Sequence, residues 1–257
     1  MEYLIIPVVA LIASGLTLFS GFGLGTILLP AFALFFPVSI AVALSAVVHL
    51  LNNLFKLALM GKHADRKATL RFGVPAILAA FAGAALLLWM AKLPALTSYA
   101  LAGRTFEISA LKLVIALLMI AFALVEVLPR FAKLAFDARY LPLGGTISGF
   151  FGGVSGHQGA MRSAFLVRAG LTKEAFIGTG VVIAALVDLT RLSVYGSHFA
   201  SAGLQQHWPL LATATVAAFL GAFVGSRLMK KVTMRAVQLL VAVMLVGIAV
   251  LLGAGVI

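Results

Sequence analysis

Long, continuous apolar stretches dominate the chain. They cover residues 3–36, 38–60, 70–91, 107–128, 140–168, 174–195, 208–228 and 234–256. A helix needs about 20 residues to cross a hydrocarbon core of about 30 Å, and every stretch reaches that length. Because the runs are continuous and do not alternate with polar residues, they exclude a β-barrel. The pattern predicts an all-α polytopic membrane protein.

The composition agrees with a membrane location and argues against disulfides, thiolate metal sites and nucleic-acid binding. Hydrophobic residues make up 63% of the 257 residues and charged residues only 10%, whereas soluble domains are about half apolar and a quarter charged. The absence of cysteine rules out disulfides and thiolate metal sites. Most of the Lys and Arg residues behind the net charge of +12 lie between the apolar stretches, where they indicate topology. We therefore expect a lipid bilayer around the chain and no nucleic-acid partner.

Residues in the first half of the chain recur in the same order in the second half. Two glycines of the first apolar stretch are repeated 134 residues later, and a polar pair in the second stretch recurs after a shift of one residue. The corresponding positions are Gly15 and Gly149, Gly25 and Gly159, Asn53 and Asp188, Lys56 and Arg191, and residues 79–84 and 217–222. Internal repeats of this size are typical of transporter folds. We therefore predict two repeats, residues 1–129 and 130–257, within one membrane domain.

The distribution of Lys and Arg decides between two topologies. If every stretch crossed once, the two sides would carry seven and eight basic residues, without the cytoplasmic excess that membrane proteins show. If the first and fifth stretches instead reach the midplane and return, thirteen basic residues lie inside and only Lys92 and Arg104 lie outside. Three crossings then separate the two re-entrant hairpins, so each repeat is a hairpin followed by three transmembrane helices and the second repeat is inverted. This topology predicts a multi-pass protein of the cell inner membrane with both termini in the periplasm.

Glycine-rich segments interrupt the first and fifth stretches where the two hairpins would turn. The first reads Ser20-Gly21-Phe22-Gly23-Leu24-Gly25-Thr26, and the second reads Gly152-Gly153-Val154-Ser155-Gly156-His157-Gln158-Gly159. Non-helical backbone at membrane depth lines a cavity or is buried in protein. A half-helix that begins there directs its free N–H groups and positive dipole end at that point, which favours a bound anion. The alternative is that the glycines serve only close helix packing.

Polar and charged side chains lie in these segments and on the helices that follow them. Arg162 is about one turn into the returning half of the second hairpin, where it either contacts the anion or forms a salt bridge with Asp188. Asp188 and Arg191 are three residues apart and share a helix face, as in a local ion pair or a gating pair. The residues expected to contact the anion are Ser20, Gly21, Phe22, Gly23, Gly25, Thr26, Asn53, Lys56, Ser155, Gly156, His157, Gln158, Gly159, Arg162, Asp188 and Arg191.

Coupling of transport to an ion gradient needs a group whose charge changes, and the candidates are His157 and Asp188. We favour His157, because an imidazole titrates near neutral pH and would link proton binding to anion binding. The alternative is that His157 only donates a hydrogen bond. The chain contains no zinc-protease, serine-hydrolase or nucleotide-binding motif, so we expect no catalytic residues, no metal and no cofactor.

The two glycine-rich hairpins, each followed by a helix that ends in a basic or polar loop, resemble the sulfite exporter TauE/SafE family. The best-matching segments are residues 20–30 and 149–159, and the similarity covers essentially the whole chain. The resemblance implies a transporter, not an enzyme, that exports small sulfur oxyanions or organosulfonates by means of an ion gradient. A passive anion channel and an importer of a related small anion are the alternatives, and the oligomeric state is open, with a homodimer among the options.

Overall fold

The computed structural model describes residues 1–20, 24–128, 130, 134–201, 204–228 and 234–257. Most of this part of the chain is helical. The longer helices, in chain order, are α1 (Glu2–Ser20), α2 (Leu24–Ala33), α3 (Val38–Met60), α4 (Arg66–Ala91), α5 (Ala110–Val127), α6 (Leu141–Ser155), α7 (Gly159–Leu166), α8 (Lys173–Ser201), α9 (Trp208–Leu228) and α10 (Met234–Gly253). Short 3-10 helices lie at Gly61–His63, Ala138–Tyr140 and Leu204–His207.

The helices follow the apolar stretches of the sequence. The second stretch predicted a helix over residues 38–60, and α3 covers these residues. The first stretch gives α1 and α2, and the fifth gives α6 and α7. α6 ends because Gly156 has a φ of 80°, a left-handed conformation that residues with a Cβ rarely adopt. Residues 156–158, between α6 and α7, are called the second break below.

The helices differ in whether their length allows them to cross a membrane. Among the described residues, the segments Val38–His63, Arg66–Ala91 and Lys173–Gly196 are long and apolar enough to do so. α2 has 10 residues and α7 has 8, so at about 1.5 Å per residue each reaches about half of the hydrocarbon core or less. α1 has 19 residues and α6 has 15. The returning helix of each pair therefore has the length of a half-helix, and the entering helix is longer.

A two-stranded antiparallel sheet departs from the all-α prediction. The strands β1 (Ala95–Leu101) and β2 (Arg104–Ser109) lie between α4 and α5. Ala102 and Gly103, which connect them, have φ values of 51° and 75°, as a two-residue type I′ hairpin turn requires. The fourth apolar stretch predicted a helix from residue 107, but residues 107–109 belong to β2. α5 begins only after Ser109, whose side chain caps it.

A row of glycines brings α6 and α4 into backbone contact. A Cβ at Gly145, Gly149 or Gly153 would lie 2.1, 2.1 or 2.3 Å from a carbonyl oxygen of α4, closer than any Cβ can approach. Because these glycines are four residues apart, they lie on one face of α6. Small residues at such spacing let membrane helices pack closely. These three glycines therefore serve packing, and for Gly153, which lies in the second glycine-rich segment, this is the alternative that the sequence left open.

Helix contacts recur in a reciprocal pattern. α6 packs on α4 and α1 packs on α9, while α2 contacts α10 and α7 contacts α5. A Cβ at Gly83 of α4 would lie 2.2 Å from a carbonyl oxygen of α6, and a Cβ at Gly221 of α9 would lie 2.0 Å from a carbonyl oxygen of α1. α3 crosses α8 between these pairs. This crossing carries the buried polar residues described next.

Candidate functional site

One carboxylate organises the polar centre where α3 crosses α8. Asp188, on α8, is fully buried. Its Oδ1 accepts hydrogen bonds from Nε and Nη2 of Arg191 at 3.0 and 2.8 Å, so the ion pair considered from the sequence is present. Its Oδ2 lies 2.7 Å from Nδ1 of His49 and accepts a hydrogen bond from Nδ2 of Asn53 at 3.0 Å. Asp188 thus holds side chains of both helices in fixed positions.

The Arg191 guanidinium is fully buried but keeps one nitrogen unused. Nε and Nη2 donate to Asp188, whereas Nη1 has no hydrogen-bond partner in the described part of the chain. A Cβ at Gly156 would lie 2.7 Å from Nη1, so this nitrogen faces the second break. Glycine at position 156 therefore meets two requirements, the positive φ and the close approach of Arg191. A buried cation with a free donor can bind an anion through a charge-assisted hydrogen bond.

The start of α2 reaches the same place from the other half of the chain. Gly25 and Thr26 are buried in the first turn of this helix. A Cβ at Gly25 would lie 3.4 Å from the carbonyl oxygen of Gly156 and 3.9 Å from the His49 imidazole. Residues of the two glycine-rich segments therefore meet beside the crossing of α3 and α8.

His157 of the second break is held from two sides. Its Nδ1 lies 3.0 Å from the Ser155 hydroxyl, and its ring stacks on Phe122 of α5 with a centroid distance of 5.1 Å and an interplanar angle of 12°. Its Nε2 is buried and has no hydrogen-bond partner among the described residues. The ring position is therefore fixed while one of its nitrogens remains available.

Two further cations, Arg162 and Lys56, act on the centre, and Gln158 connects Arg162 to it. Its Nε2 donates a long hydrogen bond of 3.5 Å to Oδ1 of Asp188, and its Oε1 accepts one of 3.2 Å from Nη1 of Arg162. Among the described residues Arg162 forms no ion pair, and Arg191 takes the salt bridge with Asp188 that the sequence considered for Arg162. Lys56 of α3 is only 9% exposed, and its charge and that of Arg162 act on each other. Neither cation has a carboxylate partner within the described residues.

Most of the residues expected to contact the anion lie in or next to this centre. Ser155 contacts His157, and Gly159 is buried at the start of α7. Gly21, Phe22 and Gly23 lie outside the described residues, as does the side chain of Ser20. The members that the structure brings together are Gly25, Asn53, Ser155, Gly156, His157, Gln158, Arg162, Asp188 and Arg191.

Two contributors were not among the predicted site residues. His49 lies four residues before Asn53 and therefore on the same face of α3, a spacing that could have identified it. Tyr195 lies four residues after Arg191 on α8, is fully buried, and donates its hydroxyl hydrogen to the Gly153 carbonyl oxygen. Its hydroxyl also lies beside the Arg191 guanidinium. Tyr195 thereby links the glycine row of α6 to the polar centre.

The atoms left unused in this centre suit an anion better than a metal ion. The carboxylate oxygens of Asp188 already accept from four side chains. Within the part of the chain that the structure describes, no group of three or more His, Asp or Glu residues could hold a metal ion. The unused buried atoms here include Nη1 of Arg191, which can only donate, and Nε2 of His157.

Comparison with known proteins identifies the family. Residues 6–252 match the profile of the family described as Sulfite exporter TauE/SafE, which spans nearly the whole chain. No curated protein and no solved structure matches the chain. The family consists of membrane transporters and not of enzymes, and its described activity is the export of sulfite. The chain therefore belongs to the sulfite exporter TauE/SafE family of membrane transporters.

Proposed function

We propose that the chain is a secondary transporter that exports small sulfur-containing anions such as sulfite or organosulfonates. The anion binds near the membrane midplane, between the start of α2 and the second break. Binding uses Nη1 of Arg191 together with the side chains around Gly156. The family match supports the class of substrate, and the arrangement of the buried polar groups supports the location.

The observation that carries this proposal is the unused nitrogen of Arg191. A guanidinium is charged at any accessible pH, and a buried unpaired donor costs free energy unless a ligand or water satisfies it. Nη1 is buried, faces Gly156 and has no partner in the described part of the chain. An oxyanion at this position would accept a hydrogen bond from Nη1 without displacing Asp188.

Lys56 and Arg162 supply a positive approach to this position. Lys56 is nearly buried on the face of α3 that carries Asn53, and the half-buried Arg162 donates a hydrogen bond to Gln158. Neither cation has a carboxylate partner among the described residues. Charged groups at this depth are expensive and tend to mark ion pathways. Their positive field raises the local concentration of anions. We assign them to the pathway next to the bound anion.

We further propose that the two halves are inverted repeats. Equivalent elements make reciprocal contacts: α1 packs on α9 as α6 packs on α4, and α2 meets α10 as α7 meets α5. The equivalent residues Asn53 and Asp188 bond directly to each other, as residues close to a two-fold axis would. In such folds the substrate binds at the interface of the repeats, near the midplane.

The inverted arrangement gives a topology that can be tested. It puts the chain in the inner membrane with both termini and the connection between α8, which ends at Ser201, and α9, which begins at Trp208, in the periplasm. We expect a reporter that is active only in the periplasm to be active when fused after Ile257. A cysteine at Ser201 should react with an impermeant reagent from outside, and a cysteine at Ala64 should not. A fusion that behaves as cytoplasmic would rule out the inverted topology.

For coupling we propose His157, with Asp188 as the residue that holds its surroundings in place. Asp188 is occupied by four side chains, so a change in its charge would disrupt the whole centre. His157 has one nitrogen available and lies next to Gly156. Proton binding there would raise the affinity for an anion, and the anion would raise the affinity for the proton by the same factor.

Counterflow in proteoliposomes tests the transporter against the channel. Vesicles loaded with unlabelled sulfite are diluted into a trace of labelled sulfite. A secondary transporter should accumulate label transiently above its equilibrium level, whereas a channel allows only equilibration. Vesicles without protein and vesicles with the Arg191→Gln variant are the controls. Equilibration without a transient excess would support the passive anion channel instead. Net inward flux against an opposing sulfite gradient would support the importer instead.

The substrate within the class is identified by thermal shift. A ligand stabilises the folded protein by RT ln(1 + [L]/Kd), so tighter ligands raise the melting temperature more at equal concentration. Purified protein is compared in sulfite, thiosulfate, sulfate, taurine, sulfoacetate and isethionate. We expect sulfite or one of the organosulfonates to give the largest shift. Equal shifts with all six would indicate a general salt effect and no specific site.

A further inference from the structure

Hydrogen-bond directions around His157 determine where its ring hydrogen lies. The Ser155 hydroxyl donates to the Phe151 carbonyl oxygen at 3.1 Å. A hydroxyl has one hydrogen and a carbonyl oxygen can only accept, so Ser155 has no hydrogen left for His157. With the Ser155 hydrogen directed at Phe151, the contact of 3.0 Å between Nδ1 of His157 and the Ser155 oxygen is satisfied by a hydrogen on Nδ1, and we assign the tautomer accordingly.

It follows that Nε2 of the neutral ring is a bare acceptor. A neutral imidazole carries a hydrogen on only one of its nitrogens, and here that nitrogen is Nδ1. Nε2 is buried, and no donor in the described part of the chain reaches it. The unused acceptor Nε2 belongs to His157, which follows Gly156 in the chain. The unused donor Nη1 of Arg191 lies against Gly156.

Among the described residues, no side chain around His157 donates a hydrogen bond to Nε2. On α8 the charged group that acts on the ring is Arg191, whose Nη1 has no partner among the described residues. On α5 the ring meets the uncharged face of Phe122, and on α6 it meets the Ser155 hydroxyl. His49 and Asp188 are bonded to each other in the adjoining network. A ligand that satisfies both unused atoms must accept one hydrogen bond and donate another.

We propose that the occupied site holds one hydrogen between the anion and Nε2 of His157. This inference rests on the proposed anion site and specifies its substrate class. An oxyanion that carries its own O–H, such as hydrogen sulfite, supplies the hydrogen and accepts from Arg191. A fully deprotonated oxyanion binds only together with one proton from solution, which then lies on Nε2.

Methylphosphonate and methanesulfonate are matched probes for this requirement. In mildly acidic buffer both are largely monoanions of the same shape, but only methylphosphonate carries an O–H. We expect the purified full-length protein to bind methylphosphonate about tenfold or more tightly, because methanesulfonate leaves the buried acceptor unpaired or must recruit a proton. Equal affinities would overturn the inference, because a water molecule or nothing at all would then satisfy Nε2.

The His157→Gln variant tests whether this residue carries the preference. A glutamine amide can either accept or donate, so the two probes should bind with affinities within about twofold of each other. A preference that persists in His157→Gln would overturn the assignment to His157. The variant also retains hydrogen-bonding capacity beside Ser155 and Arg191. Its melting temperature is measured alongside to verify the fold.

Proton uptake by the unmodified protein gives a second test that needs no variant. In weakly buffered solution, binding of methanesulfonate should take up protons, whereas binding of the methylphosphonate monoanion should not. Identical proton uptake for the two probes would contradict the inference. Sulfite is the reference ligand: if neither probe binds but sulfite does, only the inference about the hydrogen fails. If sulfite does not bind either, the proposed anion site fails with it.

Discussion

α6 and the residue that ends it carry two kinds of glycine that the sequence does not distinguish. Gly145, Gly149 and Gly153 lie against the backbone of α4, where a Cβ would overlap a carbonyl oxygen. Gly156, three residues after the last of them, has a positive φ and lies against the Arg191 guanidinium. The first kind holds two helices together, and the second shapes the candidate site. The comparison shows that a glycine-rich segment can combine a packing surface and a binding site within four helical turns.

The largest effect is expected at the packing glycines. Gly149→Leu would place a side chain where even a Cβ lies 2.1 Å from the Ala76 carbonyl oxygen. Because backbone cannot yield as a flexible side chain does, we expect a loss of about 3 kcal/mol or more and little folded protein. Gly247→Leu is the matched control, because nothing lies within 4 Å of a Cβ at that position. Folded yield by size-exclusion chromatography measures both, and a normal yield for Gly149→Leu would contradict the packing role.

A smaller effect on stability but a large one on binding is expected at the second break. Gly156→Ala adds one methyl group at a φ of 80° and pushes against Nη1 of Arg191. A left-handed alanine costs about 1–2 kcal/mol, which a folded membrane domain can tolerate. Displacement of Arg191 should weaken sulfite binding about tenfold or more, since charge-assisted hydrogen bonds are among the stronger ones. If the variant folds and binds sulfite as the parent does, Gly156 is only another packing glycine.

The smallest effect is expected where the two regions are joined. Tyr195→Phe removes the hydrogen bond to the Gly153 carbonyl oxygen and leaves the ring in place. We expect a loss of about 1 kcal/mol in stability, as for a typical buried hydrogen bond, and only a slight change in sulfite affinity. Thermal unfolding and sulfite titration of the same preparation measure the two quantities. A larger change in affinity than in stability would place Tyr195 in the binding site itself.

The sequence predicted the helices well, because their apolar lengths are set by the bilayer. Residues 38–60 became α3 without change, and the fifth stretch divides at its glycines. The hairpin of β1 and β2 was missed, because its apolar residues continue directly into α5 and the signal of a two-residue turn, Ala102-Gly103, is weak. Hydropathy measures burial in lipid and not the conformation of a short exposed segment.

The site was predictable in its residue types but not in its pairings. Spacing along α8 indicated the pair of Asp188 with Arg191, and the structure contains it. The contact of His49 with Asp188 joins residues 139 positions apart, a distance that no local pattern encodes. The sequence also named both arginines as ligands without distinguishing their environments: Arg162 contacts Gln158, whereas Arg191 has a buried nitrogen without a partner among the described residues. Only the crossing of α3 and α8 determines which cation is left with a free donor.

Sulfite binding to the Arg191→Lys variant tests whether the free nitrogen of Arg191 binds the anion. Lysine keeps a positive charge for Asp188 but lacks the fork of nitrogens that lets Arg191 hold the carboxylate and face Gly156 together. Arg71→Lys, at an exposed position of α4, is the matched control. Equilibrium binding of radiolabelled sulfite is measured on all three purified proteins after their melting temperatures have been compared. We expect Arg191→Lys to fold but to bind sulfite about tenfold or more weakly, and Arg71→Lys to bind it as the parent does. A folded Arg191→Lys with the affinity of the parent would contradict an anion site at Arg191.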